Sequence, residues 1–243
     1  KAENPQRLIA DIDGIHIRNL DLYGYTMQDA RFFASDKLTG WQLRLEQQHL
    51  SGSLLLDHQP DVPIALAIDN IDIEKVMSKA RVIKSDSTPL SSDALPAVDV
   101  LVHNISANGQ SFGSGRFLLR SEEGVLQFKD IHAVVHQLEF GELSKNSPCI
   151  LQWHLAENQK TDFTCRIRSS AVDQALVGFE LPPMVVSESL VMDINDAHWA
   201  GTPADFSLTE SYLPLTFRLD DGYFAEMDSS ATDALKIVSV LNI

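Results

Sequence analysis

The chain has 243 residues, with 34 acidic and 19 basic side chains and a formal net charge of -15. This charge repels phosphate backbones and anionic lipid headgroups, so it argues against nucleic acid as a partner and requires any lipid contact to be apolar. Because 44% of the residues are hydrophobic and 22% are charged, the composition is that of a folded globular chain.

Apolar and polar residues alternate along most of the chain, which is typical of strands with one buried face. In chain order, the clearest alternating runs are residues 15–22, 41–45, 98–102, 151–155 and 213–219. Turn residues such as Asn108-Gly109 and Glu123-Gly124 separate neighbouring runs. The pattern predicts a mainly β fold, an antiparallel meander with one apolar face.

An internal repeat divides the chain. Residues 15–24 align with residues 100–109, and Arg31-Phe32 aligns with Arg116-Phe117 at the same offset. Repeated strand units indicate a sheet that grows by stacking modules. The predicted organisation is a first β repeat over 1–83, a Ser/Pro-rich linker or loop over 84–95, a second β repeat over 96–189, and terminal strands with a capping helix over 190–243, all in one elongated unit.

Three short helices interrupt the predicted strands. Residues 170–179 begin with a serine cap and end at a glycine, and residues 71–79 carry a weaker helical pattern. Residues 229–241 form the third, with apolar residues at helical spacing. We expect this last helix to cover the apolar sheet face near Phe217 and so to cap the end of the sheet.

A tight turn is predicted at Asp220-Asp221-Gly222, between two alternating runs. A three-residue turn with Gly222 in the left-handed conformation would place Leu219 opposite Tyr223. We favour this register because it keeps the apolar residues of both runs on one face.

Two cysteines occur, Cys149 and Cys165, in neighbouring alternating runs. Any register with Trp153 opposite Thr161 places the two cysteines opposite each other. A disulfide is possible if they form a close, non-hydrogen-bonded pair, and the equal alternative is two small apolar residues on one buried face.

The sequence contains no P-loop, H-E-x-x-H or C-x-x-C motif, and we interpret the glycine-rich stretch Gly109-x-x-x-Gly113-x-Gly115 as a turn, so we expect no catalytic residue, no metal and no cofactor. The pair His132 and His136 has no further metal ligand nearby, and we interpret it as part of a solvated polar face. Tryptophans could stack on a sugar, as in a sugar-active β-solenoid enzyme, but no pair of carboxylates supports that reading.

The C-terminal third carries three distinctive segments: Trp199-Ala200-Gly201-Thr202-Pro203-Ala204-Asp205-Phe206, the alternating residues 213–219 leading to Asp221-Gly222-Tyr223-Phe224, and residues 234–242. Together these segments resemble the late region of the YhdP proteins of the AsmA-like group. The repeated unit over 96–113 is also similar to the strand unit of that family. The resemblance extends from about residue 10 to the end of the chain.

The resemblance implies a curved sheet whose apolar concave face is a groove for phospholipid acyl chains, as in bridge-like lipid transfer proteins. It further implies a periplasmic location in a Gram-negative bacterium and an inner-membrane anchor in the remainder of a longer parent chain, of which we expect this sequence to be a piece. The residues expected to line the groove are Leu151, Trp153, Phe163, Ile167, Trp199, Phe206, Leu215, Phe217 and Leu219.

A structural role is the alternative. A scaffold segment of a large envelope protein would have the same strands, but its apolar face would be filled by its own side chains. An open apolar groove would therefore distinguish a lipid-binding segment from a scaffold.

Overall fold

The computed structural model of the protein describes residues 11–22, 25–80, 95–107, 109–142, 148–156 and 158–224. Thirteen strands in these ranges form one curved sheet, which confirms the predicted mainly β class. The strands are β1 (Asp11–Leu22), β2 (Tyr25–Asp36), β3 (Gly40–Glu46), β4 (Leu50–Asp57), β5 (Ile64–Asp72), β6 (Val98–Ala107), β7 (Gln110–Glu122), β8 (Val125–Val135), β9 (Leu138–Phe140), β10 (Cys149–His154), β11 (Lys160–Ser169), β12 (Val185–Ala200) and β13 (Leu215–Phe224).

Strand order follows chain order across the sheet, except that β9 and β10 share the space between β8 and β11. The described pairs are antiparallel apart from β5 and β6, which run parallel. The prediction of a purely antiparallel sheet is therefore wrong at this step. A parallel pair needs a crossover connection, and helix α1 (Ile73–Ala80) lies within that connection.

The internal repeat is visible in the strand register. Ile15 pairs with Phe32 in the first hairpin, and Val100 pairs with Phe117 in the second. Both partners of the second pair lie 85 positions beyond those of the first, as the sequence alignment requires. The predicted division of the chain into repeats and a linker at 84–95 stays a prediction, because most of that linker lies outside the described residues.

The turn predicted at 220–222 is wrong. Strand β13 continues through these residues, where Asp220 pairs with Ser189 and Gly222 with Ser187 on β12. Asp221 takes a φ of +49° without ending the strand. Strand β12 has 16 residues and offers a partner along the whole of β13, so an uninterrupted ladder forms in place of a local hairpin.

Two of the predicted helices are confirmed, with ends shifted by one or two residues. They are α1, and α2 over Val172–Gly178, which packs against β12. Helix α1 contacts β2 as well as β5 and β6. The helix predicted at 229–241, with its capping role, lies outside the described residues.

One face of the sheet is apolar from its first strand to its last. Residues paired across neighbouring strands point to the same face. One line of such pairs crosses the whole sheet through Ile15, Phe32, Leu45, Gly52, Ile68, Val102, Gly115, Ala133, Phe140, Ile167, Met192 and Phe217. No member of this line is charged. We call this side of the sheet the apolar face.

Helix α2 is fixed against the sheet by a close contact between Gly178 and His136. A Cβ added to Gly178 would lie 2.5 Å from the His136 ring, so Gly178→Ala should destabilise the chain by about 1–3 kcal/mol through overpacking. Chemical denaturation measures this cost. Adding His136→Ala to Gly178→Ala should make the double variant more stable than the sum of the single effects predicts. Additive effects would show that the contact is not the cause.

Candidate functional site

The apolar face is open over strands β2 to β5. A cavity of about 440 Å³ lies there, and we call it the trough. The apolar side chains that line it include Phe32, Leu43, Leu45, Leu54, Leu66 and Ile68. At this end of the sheet large apolar side chains remain exposed, with Ile15 at 50% and Leu43 at 36%. The trough is a surface that could remove hydrocarbon from water at about 25 cal/mol per Å².

The same face is covered over strands β10 to β12. Residues 201–214, which connect β12 to β13, fold back over the apolar face, and we call them the lid. Beneath it lies a cavity of about 270 Å³, the lid pocket, lined by Leu151, Phe163, Ile194, Trp199, Pro203, Phe206 and Leu213. Next to this pocket, Cys149, Cys165, Ile167, Ile194 and Ala197 form a buried cluster against which Leu213 and Leu215 pack.

Hydrogen bonds hold the lid at both ends. At its start, the Thr161 hydroxyl donates to the Gly201 carbonyl at 2.9 Å, and the Trp199 indole Nε1–H donates to the Thr202 carbonyl at 2.8 Å. Near its end, Tyr212 and His198 exchange two backbone hydrogen bonds of 2.9 Å. The lid is therefore built onto β11 and β12 rather than loosely attached.

A short 3-10 turn (Pro203–Asp205) stiffens the lid through a capping box. The Thr202 hydroxyl and the Thr202 backbone N–H each donate to Asp205 Oδ2 at 2.8 Å. These two hydrogen bonds hold the pKa of the Asp205 carboxyl below its ordinary value, and the bond from the Thr202 hydroxyl has the larger effect. The turn positions Phe206, whose ring meets the Trp199 ring edge-on with centroids 5.1 Å apart.

A disulfide joins Cys149 and Cys165, whose Cα atoms are 4.2 Å apart. Strands β10 and β11 pair Trp153 with Thr161, the register from which the sequence places the two cysteines opposite each other. Both residues are almost fully buried. The bond fixes β10 to β11 in the floor of the covered part of the apolar face.

The structure brings most of the expected groove residues together. Leu151, Phe163, Trp199 and Phe206 line the lid pocket, while Ile167 belongs to the buried cluster beside it and Leu215 packs against that cluster. The remaining ones are Trp153, which pairs with Leu126; Phe217, which pairs with Met192; and Leu219, which pairs with Leu190.

Sequence reasoning missed the trough. Its residues lie in the first half of the chain, where the alternation over 41–45 predicts an apolar strand face but carries no family motif. Alternation alone does not distinguish a covered face from an open one. The apolar alternation over 41–45 was therefore visible in the sequence, but it could not predict an open trough.

The opposite face of the sheet carries ion pairs. The Arg166 guanidinium donates two hydrogen bonds to the Asp193 carboxylate, with Nε–Oδ1 at 2.6 Å. The Arg168 guanidinium donates to the buried Glu142 carboxylate at 2.7 Å. Burial raises the pKa of the Asp162 carboxyl, but hydrogen bonds from Lys160 and His154 outweigh it, and the pKa lies below its ordinary value. These pairs hold neighbouring strands together, so we interpret this face as structural.

The interpretation of His136 as part of a solvated polar face is wrong. The His136 ring lies between the rings of Phe112 and Phe179, at centroid distances of 4.6 and 5.0 Å. The turn at 136–137 points His136 at helix α2, because both of its residues have positive φ. The described residues contain no group of three His, Cys, Asp or Glu side chains placed to hold a metal ion.

In the part of the chain that the structure describes, no helix has the length and apolar run needed to cross a bilayer. Comparison with curated proteins and with solved structures finds no match. A family model does match, described as YhdP protein, and it covers residues 2–243. The chain therefore belongs to the YhdP family, and membership in this family indicates an envelope protein related to lipid transport.

Proposed function

We propose that this chain is a periplasmic lipid-binding segment that takes part in phospholipid transport between the inner and outer membranes. Its apolar face is the groove, and acyl chains are the ligand. The observation that carries the proposal is the line of paired apolar residues that runs unbroken through the sheet and includes the open trough. Membership in the YhdP family supports it.

The physical argument rests on continuity. An acyl chain that moves along a protein surface stays out of water only if apolar contact is available at each step of the path. The line of pairs from Ile15 to Phe217 carries an apolar side chain on each strand that it crosses, except at Gly52 and Gly115, where Leu54 and Phe117 supply the contact two positions along the same face. The headgroup can remain in water, so this role needs no catalytic side chain and no cofactor.

The disulfide supports the location. Bonds of this kind form and persist in oxidising compartments such as the bacterial periplasm. A buried Cys149–Cys165 bond is therefore what we expect of a periplasmic chain. We propose that the inner-membrane anchor lies in a part of the parent protein outside this sequence.

The scaffold alternative applies best to the covered part of the sheet. Over β10 to β12, the apolar face is filled by the chain's own lid and buried cluster, as a scaffold requires. The trough favours lipid binding, because a purely structural segment gains nothing from apolar side chains left in water.

Native mass spectrometry of the purified chain tests the proposal. The expected result is a bound phospholipid, and the variant Leu43→Asp should retain roughly tenfold less of it, since a carboxylate in the trough disfavours hydrocarbon. Leu43 is 36% exposed, so this change should leave the fold intact. The control Gln42→Asp lies on the other face of the same strand. A wild-type chain free of lipid, or equal retention by both variants, would overturn the proposal.

A further inference from the structure

The lid pocket is a second apolar space on the same face as the trough, and its chemistry restricts what can occupy it. Among its seven lining residues, the only polar side-chain atom is Trp199 Nε1, and that N–H is already donated to the Thr202 carbonyl. A sugar, a peptide or a phosphate group would lose its hydrogen bonds to water and gain none from these side chains. The pocket therefore suits hydrocarbon.

The pocket is connected to the trough through paired apolar residues. From Leu66 in the trough, the path crosses to Val100 and then to Phe117. The ring of Phe117 contacts the ring of Phe128, with centroids 5.5 Å apart. Phe128 pairs with Leu151, which lines the pocket. A chain that leaves the trough along this path meets apolar side chains until it reaches the lid.

The size of the pocket differs from that of the trough. At about 270 Å³, against about 440 Å³ for the trough, it is smaller than the roughly 300–1,000 Å³ typical of sites for whole small molecules. The lid closes it on one side, where Phe206 packs edge-on against Trp199. There is room for the end of one hydrocarbon chain, not for a lipid with two chains and a headgroup.

We infer that the lid pocket is a terminal subsite that receives the end of a single acyl chain from a lipid lying on the apolar face. The inference rests on the proposed function and adds a second binding position to it. The lid makes this position a stop within the groove, because Pro203, Phe206 and Leu213 add apolar contacts from the lid to those that the sheet supplies.

Photolabelling locates the acyl chain directly. The probe is palmitate with a diazirine at its methyl end, irradiated with the purified chain and mapped by peptide mass spectrometry. We expect label in the trough strands β3 and β4 and also in the lid-pocket peptides that contain Leu151, Phe163 or Phe206. Label in both places is the predicted pattern.

A substitution that fills the lid pocket tests whether an acyl chain enters it, without removing apolar side chains from the core. Leu151→Trp adds volume where the pocket has space, so the melting temperature should be unchanged or higher. Labelling of the pocket should fall roughly tenfold, equivalent to about 1.4 kcal/mol of binding, while labelling of the trough stays the same. The matched control is Ile150→Trp on the other face of β10, which should change neither signal. If Leu151→Trp does not fold, Phe206→Leu provides the second variant, and it should alter pocket labelling alone.

The outcomes separate the two proposals. Label in the trough but none in the pocket would overturn the terminal subsite and leave the lipid groove standing. Pocket labelling that persists in folded Leu151→Trp would also overturn the subsite. An absence of label in both places would count against the groove itself.

Discussion

Replacing both Cys149 and Cys165 with alanine should lower the free energy of unfolding by about 3 kcal/mol. The bond closes a loop with a sequence separation of 16, and a cross-link of that length restricts the unfolded chain by about this amount. Alanine is the suitable replacement because both sites are buried among apolar residues, where a serine hydroxyl would lack a partner. Urea denaturation of the variant and the oxidised wild type measures the difference.

Reduction of the wild type is the control for this prediction. Thiol titration of the unfolded chain should find no free thiol before reduction and two after it, and the reduced chain should unfold at nearly the same urea concentration as the variant. Two thiols in the unreduced chain, or equal stability of oxidised and reduced forms, would contradict the role assigned to the bond.

Phe163→Asp should destabilise the chain by about 3–5 kcal/mol. Phe163 packs against the buried disulfide cluster and lines the lid pocket, so the change removes a large apolar side chain and places a carboxylate among apolar neighbours. Chemical denaturation followed by circular dichroism measures the loss. Pocket labelling by the diazirine palmitate should be lost in the same variant under conditions where it is still folded.

Ile150→Asp is the matched control, because it places the same charge on the adjacent strand but on the opposite face. Ile150 is 38% exposed, and a change at such a position should cost about 0.5 kcal/mol or less. The comparison depends on the alternation of faces along β10 and β11. Similar losses in both variants would mean that the apolar face is not the buried one.

Local pattern was sufficient to assign a face to the strands with clear alternation, which are β1, β3, β6, β10 and β13. Because side chains alternate on a strand, the run that contains Leu151 and Trp153 already shows which residues are apolar neighbours. The same reasoning places Cys149 opposite Cys165, since a short loop leaves few registers and only some keep the apolar residues together. The internal repeat also carries over to three dimensions, as the equivalent pairs Ile15–Phe32 and Val100–Phe117 show.

Partners that are distant in sequence decided the features that local pattern missed. Residues 220–222 have the composition of a turn, yet they continue β13 because β12 supplies a ladder along its whole length. His136 is polar, but Phe112 and Phe179 come from other elements to enclose it.

By itself, the sequence determined a mainly β chain with one apolar face, a repeated strand unit and the opposed cysteines, because each of these follows from side-chain alternation and local register. Only the tertiary structure decided that the lid covers this face over β10 to β12 and that the face stays open over β2 to β5. The reason is physical: alternation states which residues avoid water, but curvature of the sheet and the path of residues 201–214 determine what shields them.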